Sequence, residues 1–281
     1  MCNGRTAMHR QENESNRRAN RLRIGERSER QRCENPRHPQ DAVGIAEDGI
    51  HQEDGQQALP STERILGRTI AVTNRHLCSR PFLQQMETVL HTRPQAVILR
   101  ERDLPEGEYR ALARELIPLC EGAGVPCYLH GHYLEVARQL GCPNIHLGIS
   151  QLQALHDAER NEGGNPLAAF EKISVSCHSA AEARLACDLG ATSIVLGTIF
   201  ETDCKPGKQG AGLDFLRQVC RAVNAPVFAI GGITPARMPD VLGSGAAGGC
   251  MMSWFMRLPS PVQRSCHRPL PWEEGRSKPV R

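Results

Sequence analysis

Aromatic residues are scarce in this sequence. Phe, Trp and Tyr make up 4% of its 281 residues, so a core must be assembled mainly from Ala, Val, Ile and Leu. An excess of charge of one sign is also lacking. With 34 basic and 31 acidic residues the formal net charge is +3, which argues against a dedicated nucleic-acid binder. No stretch approaches the roughly 18 consecutive apolar residues of a membrane span. The first residues have no apolar run, so a secretory signal is not expected. The 12 cysteines are scattered and form no paired C-x-x-C motifs, in a chain too long for a small disulfide scaffold. The expectation is reduced, mostly buried thiols in a cytoplasmic protein. Cys120, Cys187 and Cys220 fall inside helical patterns, where Cys acts as a small hydrophobe.

Three regions differ in composition. Residues 1–63 are dominated by Arg, Gln, Glu and Asn, with sparse apolar residues that follow neither a helix nor a strand period. Such a segment cannot bury enough apolar surface to offset its ordering entropy. A basic arm for RNA or an acidic partner is one reading. A disordered polar extension, or a start codon placed too far upstream, is preferred, because acids interleave with the arginines and dilute the field. Residues 259–281 are rich in Pro and Arg and do not read as a helix.

Between them, residues 64–258 alternate short apolar runs with amphipathic stretches. The runs are TIAVT 69–73, AVILR 96–100, PCYLH 126–130, NIHLG 144–148, ISVS 173–176, SIVLG 193–197, PVFAI 226–230 and AGGCMM 247–252. The clearest helix is PEGEYRALARELIPLCEGAG, with Leu112, Leu116, Leu119 and Cys120 at helical spacing and glycines at its end. In SAAEARLACDLGA, Ser179 is a candidate N-cap and Glu182 fits a capping box. Eight strands with intervening helices predict a (β/α)8 TIM barrel that lacks a regular last helix. An open doubly wound sheet is the alternative, but NRHLCSR after the first strand carries no glycine fingerprint.

In a barrel of this kind the active site lies at the C-terminal ends of the strands. Those ends bring up Asn74, Arg100, Glu101, Arg102, His130, His132, Ser176 and His178. Gly231 and Gly232 follow strand seven, and Met252 and Ser253 follow strand eight. The glycine pair suits close backbone approach to a phosphate, or only a tight turn. Lys205 and Lys208 in the Gly-rich loop CKPGKQGAG, with Arg100 and Arg102, supply positive charge for a phosphorylated ligand. That loop reads as a cover over the mouth, or as an ordinary exposed loop.

SVSCHS, residues 174–179, crowds two nucleophiles and a base together. Strand alternation turns Cys177 away from Ser176 and His178. A Ser–His nucleophilic pair is poorly served by two side chains on one strand, and no Gly-x-Ser-x-Gly elbow is present. A lone His that moves protons is the other reading, since imidazole titrates near neutrality.

ILRERD, NIHLG, SVSCHS, LGTIFETDCKPGKQGAGLDFL, VFAIGGITP and MMS, in this order, resemble the thiamine phosphate synthase/TenI superfamily over about residues 66–256. The resemblance implies one of two chemistries. The synthase joins hydroxymethylpyrimidine diphosphate to thiazole phosphate with Mg²⁺. Its pattern has Asn-Asp after strand three and an Asp after the HLG motif. Here those places read His130-Gly131 and Gln151. The thiazole tautomerase isomerises a carboxythiazole phosphate tautomer to the aromatic ring without a metal, and FETDCKPG and Arg-Glu-Arg at 100–102 resemble this branch more closely. The resemblance implies His178 as proton carrier, and Ser176, Arg100, Arg102, Thr202, Asp203, Cys204 and Lys205 as substrate contacts. Gly231, Gly232, Met252 and Ser253 are implied as phosphate contacts. A tautomerase is the main expectation, with no cofactor and a small phosphorylated thiazole as partner. Mg²⁺ is expected only under the synthase alternative, and a non-catalytic thiazole phosphate binder or regulator is the third reading. Whether the chain forms a homo-oligomer is left open by the sequence.

Overall fold

The computed structural model describes residues 62–202 and 209–259. The reading of residues 1–63 as a polar extension and of 259–281 as an irregular tail falls almost wholly outside them. Helix α1, Thr62–Leu66, leads into β1, Thr69–Val72, and Thr69 Oγ1 donates to the Leu66 carbonyl at 2.6 Å. The order continues as α2 Phe82–His91, β2 Ala96–Leu99, α3 Glu106–Gly122, β3 Cys127–His130 and α4 Leu134–Gln139. Then follow β4 Asn144–Gly148, α5 Ile149–Glu162, β5 Lys172–Cys177, α6 Ala180–Asp188 and β6 Ser193–Gly197. The chain ends its described part with α7 Gly212–Ala222, β7 Val227–Ile230, α8 Met238–Gly243, β8 Gly248–Met251 and α9 Ser253–Met256. All eight strands pair in parallel, β1 with β2 and so on to β8, and β8 pairs back with β1. The fold is the (β/α)8 barrel that the strand count predicts.

Side chains divide by strand alternation, as a pleated barrel requires. Ile70, Val72, Ala96, Ile98, Val195, Phe228 and Cys250 point into the barrel and form an inner cluster. Ala71, Val97, Leu99, Leu129, Ile145, Leu147, Val175, Cys177 and Leu196 point outward and join the larger core beneath the helices. Cys177 is fully buried, and burial pushes its thiol up to about 12, so it packs rather than reacts. The eight described cysteines are all free.

Helix α3 corrects the expected seam. Its fully buried positions are Tyr109, Ala113, Leu116 and Cys120, while Leu112 and Leu119 are only partly buried. Tyr109 decides the rotation of the helix. It stacks on Tyr133 at 3.8 Å between ring centroids, and its hydroxyl donates to the Leu99 carbonyl at 2.9 Å. A scan for aliphatic spacing passes over a buried ring of this size, which contributes more apolar area than either leucine.

Among the described residues the barrel closes with a short last helix. α9 has four residues, and it and Leu258 are tied down by Gln85 of α2 and by Arg80 just before that helix. Gln85 Nε2 donates to the carbonyls of Phe255 at 2.7 Å and Leu258 at 3.2 Å, and Arg80 donates to Leu258 at 2.6 Å. Gly248 lets β8 lie against β1, since a Cβ there would stand 2.0 Å from the Arg68 carbonyl oxygen. Among the described residues no helix is long and apolar enough to cross a membrane.

Candidate active site

The strand ends surround a cavity of about 1370 Å³. Its wall includes Arg100, Arg102, Ser176, His178, Thr202, Gly231, Gly232, Met252 and Ser253, so these expected site residues share one chamber. Asp203, Cys204 and Lys205 lie outside the described residues, as does Lys208. The wall also holds residues that strand-end reading passed over, namely His146, Arg237, Trp254 and Arg257.

His178 follows β5 immediately and is exposed. Its backbone N–H donates to Glu182 Oε2 at 2.6 Å, while Ser179 Oγ accepts from the Glu182 N–H at 3.1 Å. Ser179 is thus the N-cap of α6, and Glu182 reaches one residue further back than a standard capping box. The ring is fixed as well: Nδ1 stands 2.5 Å from the Gly197 carbonyl oxygen at the end of β6. A carbonyl can only accept, so Nδ1 carries the hydrogen and the neutral ring keeps its lone pair on Nε2.

Ser176 does not stand alone. Its Oγ is 2.9 Å from His146 Nε2, and His146 Nδ1 is 3.0 Å from Ser174 Oγ. The parallel register of β4 and β5 sets His146 opposite Ser174, which brings one imidazole between two hydroxyls. His146 is 6% exposed, and its pKa is lowered to about 4, first by burial and then by Arg100. The ring is therefore neutral at pH 7, with one nitrogen donating and the other accepting. His130, at the end of β3, is lowered to about 3 by burial and by the neighbouring His146, Arg100 and Arg102.

The β7 end is shaped by glycine. Gly231 has φ +100° and Gly232 φ +64°. A Cβ on Gly231 would lie 2.3 Å from Thr198 Cγ2. Arg237 holds the turn by donating to the Gly232 carbonyl at 2.6 Å, with its guanidinium 4.5 Å from the centre of the Phe200 ring. Among the described residues, no backbone carbonyl accepts from the N–H of Gly231 or Gly232. With the start of α9 at Ser253, this end offers backbone donors suited to an anion.

A rim cluster steadies the β2 end. Glu101 is 1% exposed and accepts from the Arg75 backbone N–H at 3.0 Å and its guanidinium at 3.2 Å. Arg75 also pairs with Asp103 at 2.6 Å, and its hydrogen bond holds that carboxyl well below the usual carboxylate range. The acids between and after Arg100 and Arg102 are thus engaged at the rim. Arg102 itself makes no ion pair among the described residues.

Among the described residues the wall does not suit a hard divalent cation. Mg²⁺ takes oxygen ligands, usually with one or two carboxylates. Glu201 is the one carboxylate in the wall among the described residues, facing arginines and imidazoles. Gln151, in place of an acid, is occupied, with Oε1 accepting from the Gly148 N–H at 2.9 Å at the start of α5. No group of three or more His, Cys, Asp or Glu among the described residues could hold a metal ion.

Comparison with known proteins agrees with this architecture. The family model for thiamine monophosphate synthase matches residues 69–255. A putative thiamine-phosphate synthase of Geobacter sulfurreducens is 31% identical over 196 residues, which cover 69% of this chain and 89% of the relative. A thiamine-phosphate synthase of Roseiflexus sp. is 30% identical over 198 residues, covering 69% and 80%. The solved structure of a thiamine phosphate pyrophosphorylase from Pyrococcus furiosus has the same fold, with a TM-score of 0.57 at 24% identity, covering 69% of this chain and 89% of that one. The chain belongs to the thiamine monophosphate synthase family.

Proposed function

We infer that this protein is an enzyme of thiamine biosynthesis and acts as a thiazole tautomerase, isomerising a carboxythiazole phosphate tautomer to the aromatic ring. The observation that carries the reading is the hydrogen bond from His178 Nδ1 to the Gly197 carbonyl, which in the neutral ring puts the lone pair on Nε2, the nitrogen that can take a proton, on a residue of the cavity wall. In the proposed step Nε2 takes a proton from a ring carbon, and the electron pair left behind moves into the ring. The exocyclic carbon gains a proton, which His178 can return. The formula is unchanged, nothing is oxidised, and His178 ends neutral as it began. Aromatisation makes the reaction downhill. A positioned imidazole accounts for on the order of 10²–10⁴-fold of rate. The phosphate would bind the donors of Gly231, Gly232 and Ser253 and hold the ring in place.

The relatives' names favour a second reading, thiamine-phosphate synthase. Among the described residues the wall holds one carboxylate, Glu201, which weighs against it, because a leaving pyrophosphate needs its charge neutralised. One assay separates the two. With EDTA present, the wild type should convert the tautomer to its aromatic product, and His178→Ala should lose that turnover while still binding the product. Turnover unchanged in His178→Ala would overturn the tautomerase. Thiamine phosphate formed only with added Mg²⁺ and the pyrimidine diphosphate would establish the synthase.

A further inference from the structure

We propose that His130 is a fixed neutral hydrogen-bond donor that, with Arg102 and Arg100, receives the carboxylate of the ligand at the side of the cavity opposite the glycine turn. This rests on the carboxythiazole phosphate reading and adds a receptor for the second anionic group.

His130 Nδ1 accepts from the His132 backbone N–H at 3.1 Å, and a nitrogen that accepts cannot carry a hydrogen. The hydrogen of the neutral ring is therefore on Nε2. The cavity wall contains His130, and the arginines beside it oppose a second proton. The backbone is held as firmly as the ring. The His130 N–H donates to the Tyr109 hydroxyl at 3.0 Å, and that hydroxyl is itself bound to the Leu99 carbonyl. Gly131 completes the turn, since a Cβ there would stand 2.3 Å from Leu147 Cδ2. An N–H donor held on both sides and flanked by guanidiniums suits an anionic oxygen.

Topology gives the geometry of the ligand. In a closed barrel of eight strands β3 lies across from β7, and β5 lies two strands from each. A ligand with phosphate at the β7 turn and carboxylate at His130 therefore spans the mouth, and His178 after β5 faces its middle. That middle holds the carbon whose proton moves.

The test uses the full chain and two probes, the aromatic carboxythiazole phosphate and the same thiazole phosphate without its carboxylate. His130→Ala should weaken binding of the carboxylated probe roughly 10- to 100-fold, the range of a hydrogen bond to a charged group, and leave the other probe unchanged. His130→Gln, which returns an N–H near the Nε2 position, should recover part of the loss. A long-range ¹H–¹⁵N spectrum should show His130 with hydrogen on Nε2 alone at pH 7. An Nδ1–H tautomer, an imidazolium, or equal loss for both probes would overturn the receptor while His178-dependent turnover still stands. Failure of both probes to bind the wild type would overturn the functional reading and the receptor together.

Discussion

His146 and Ser176 stand on adjacent strands with Nε2 2.9 Å from Oγ, and Ser174 completes the arrangement on the far side of the same ring. Ser176 is thus part of the wall and also the outer end of a buried polar chain. Its hydroxyl cannot reorient freely, because the neutral imidazole accepts no donor and offers no hydrogen beyond the two contacts it already makes.

Replacing His146 by Phe should cost about 1–3 kcal/mol, since it leaves a buried Ser174 hydroxyl without its partner. The same change should lower kcat/KM by releasing Ser176, whereas Ser176→Ala should affect activity more than stability. Urea unfolding together with the tautomerisation assay separates the two effects.

The depressed imidazoles fix the sign of one pH dependence. His146 titrates at about 4 and His130 at about 3 in the folded chain, against 6.5 for an ordinary imidazole. Between these values the unfolded chain binds more protons than the folded one, so their contribution to stability is present above pH 6.5 and is lost as the pH falls toward 4 and 3. The urea midpoint should therefore drop over that window. His146→Gln should flatten the part of the drop above pH 4.

Gly231→Ala should be destabilising by about 1–3 kcal/mol, the cost of a side chain forced into a sparsely populated backbone region. The new Cβ would also press on Thr198 Cγ2 from 2.3 Å. Gly243→Ala, with nothing within 4 Å of its Cβ, serves as the control and should be neutral or mildly stabilising. Thermal melts in the presence and absence of inorganic phosphate would show whether the loss extends to anion binding.

Gln85→Leu tests the strap that holds α9 and Leu258. It removes the donor to the Phe255 carbonyl and one of two donors to Leu258, the other being Arg80. A loss of about 1–3 kcal/mol is expected for the buried carbonyl left unpaired. Faster hydrogen exchange around α9 should accompany it.

Much of the barrel was legible from local pattern. A strand buried on both faces needs a short continuous apolar run, and each of the eight runs became a strand within one or two residues of its expected bounds. That His178 and the glycine turn share the cavity wall was legible for a similar reason, because strand ends line the mouth of this fold. Aliphatic spacing alone does not place Tyr109 in the α3 seam, because its hydroxyl makes it half polar, yet Leu99 and His130 satisfy that hydroxyl from distant strands. His146 lies inside its strand and is not legible as a site residue from sequence, since only the register with β5 brings two serines to it. Arg237 sits beyond a turn whose conformation brings it back over Phe200.

The sequence by itself determined the alternation of buried strands and covering helices and the glycines where backbones crowd. These follow from side-chain size, polarity and backbone freedom, which each residue carries with it. The tertiary structure alone decided which nitrogen of His130 and of His178 bears the hydrogen, because a tautomer is set by the partner that another strand or turn presents. It likewise decided that His146 is neutral and that β8 pairs with β1, since burial and strand register exist only once the barrel has closed.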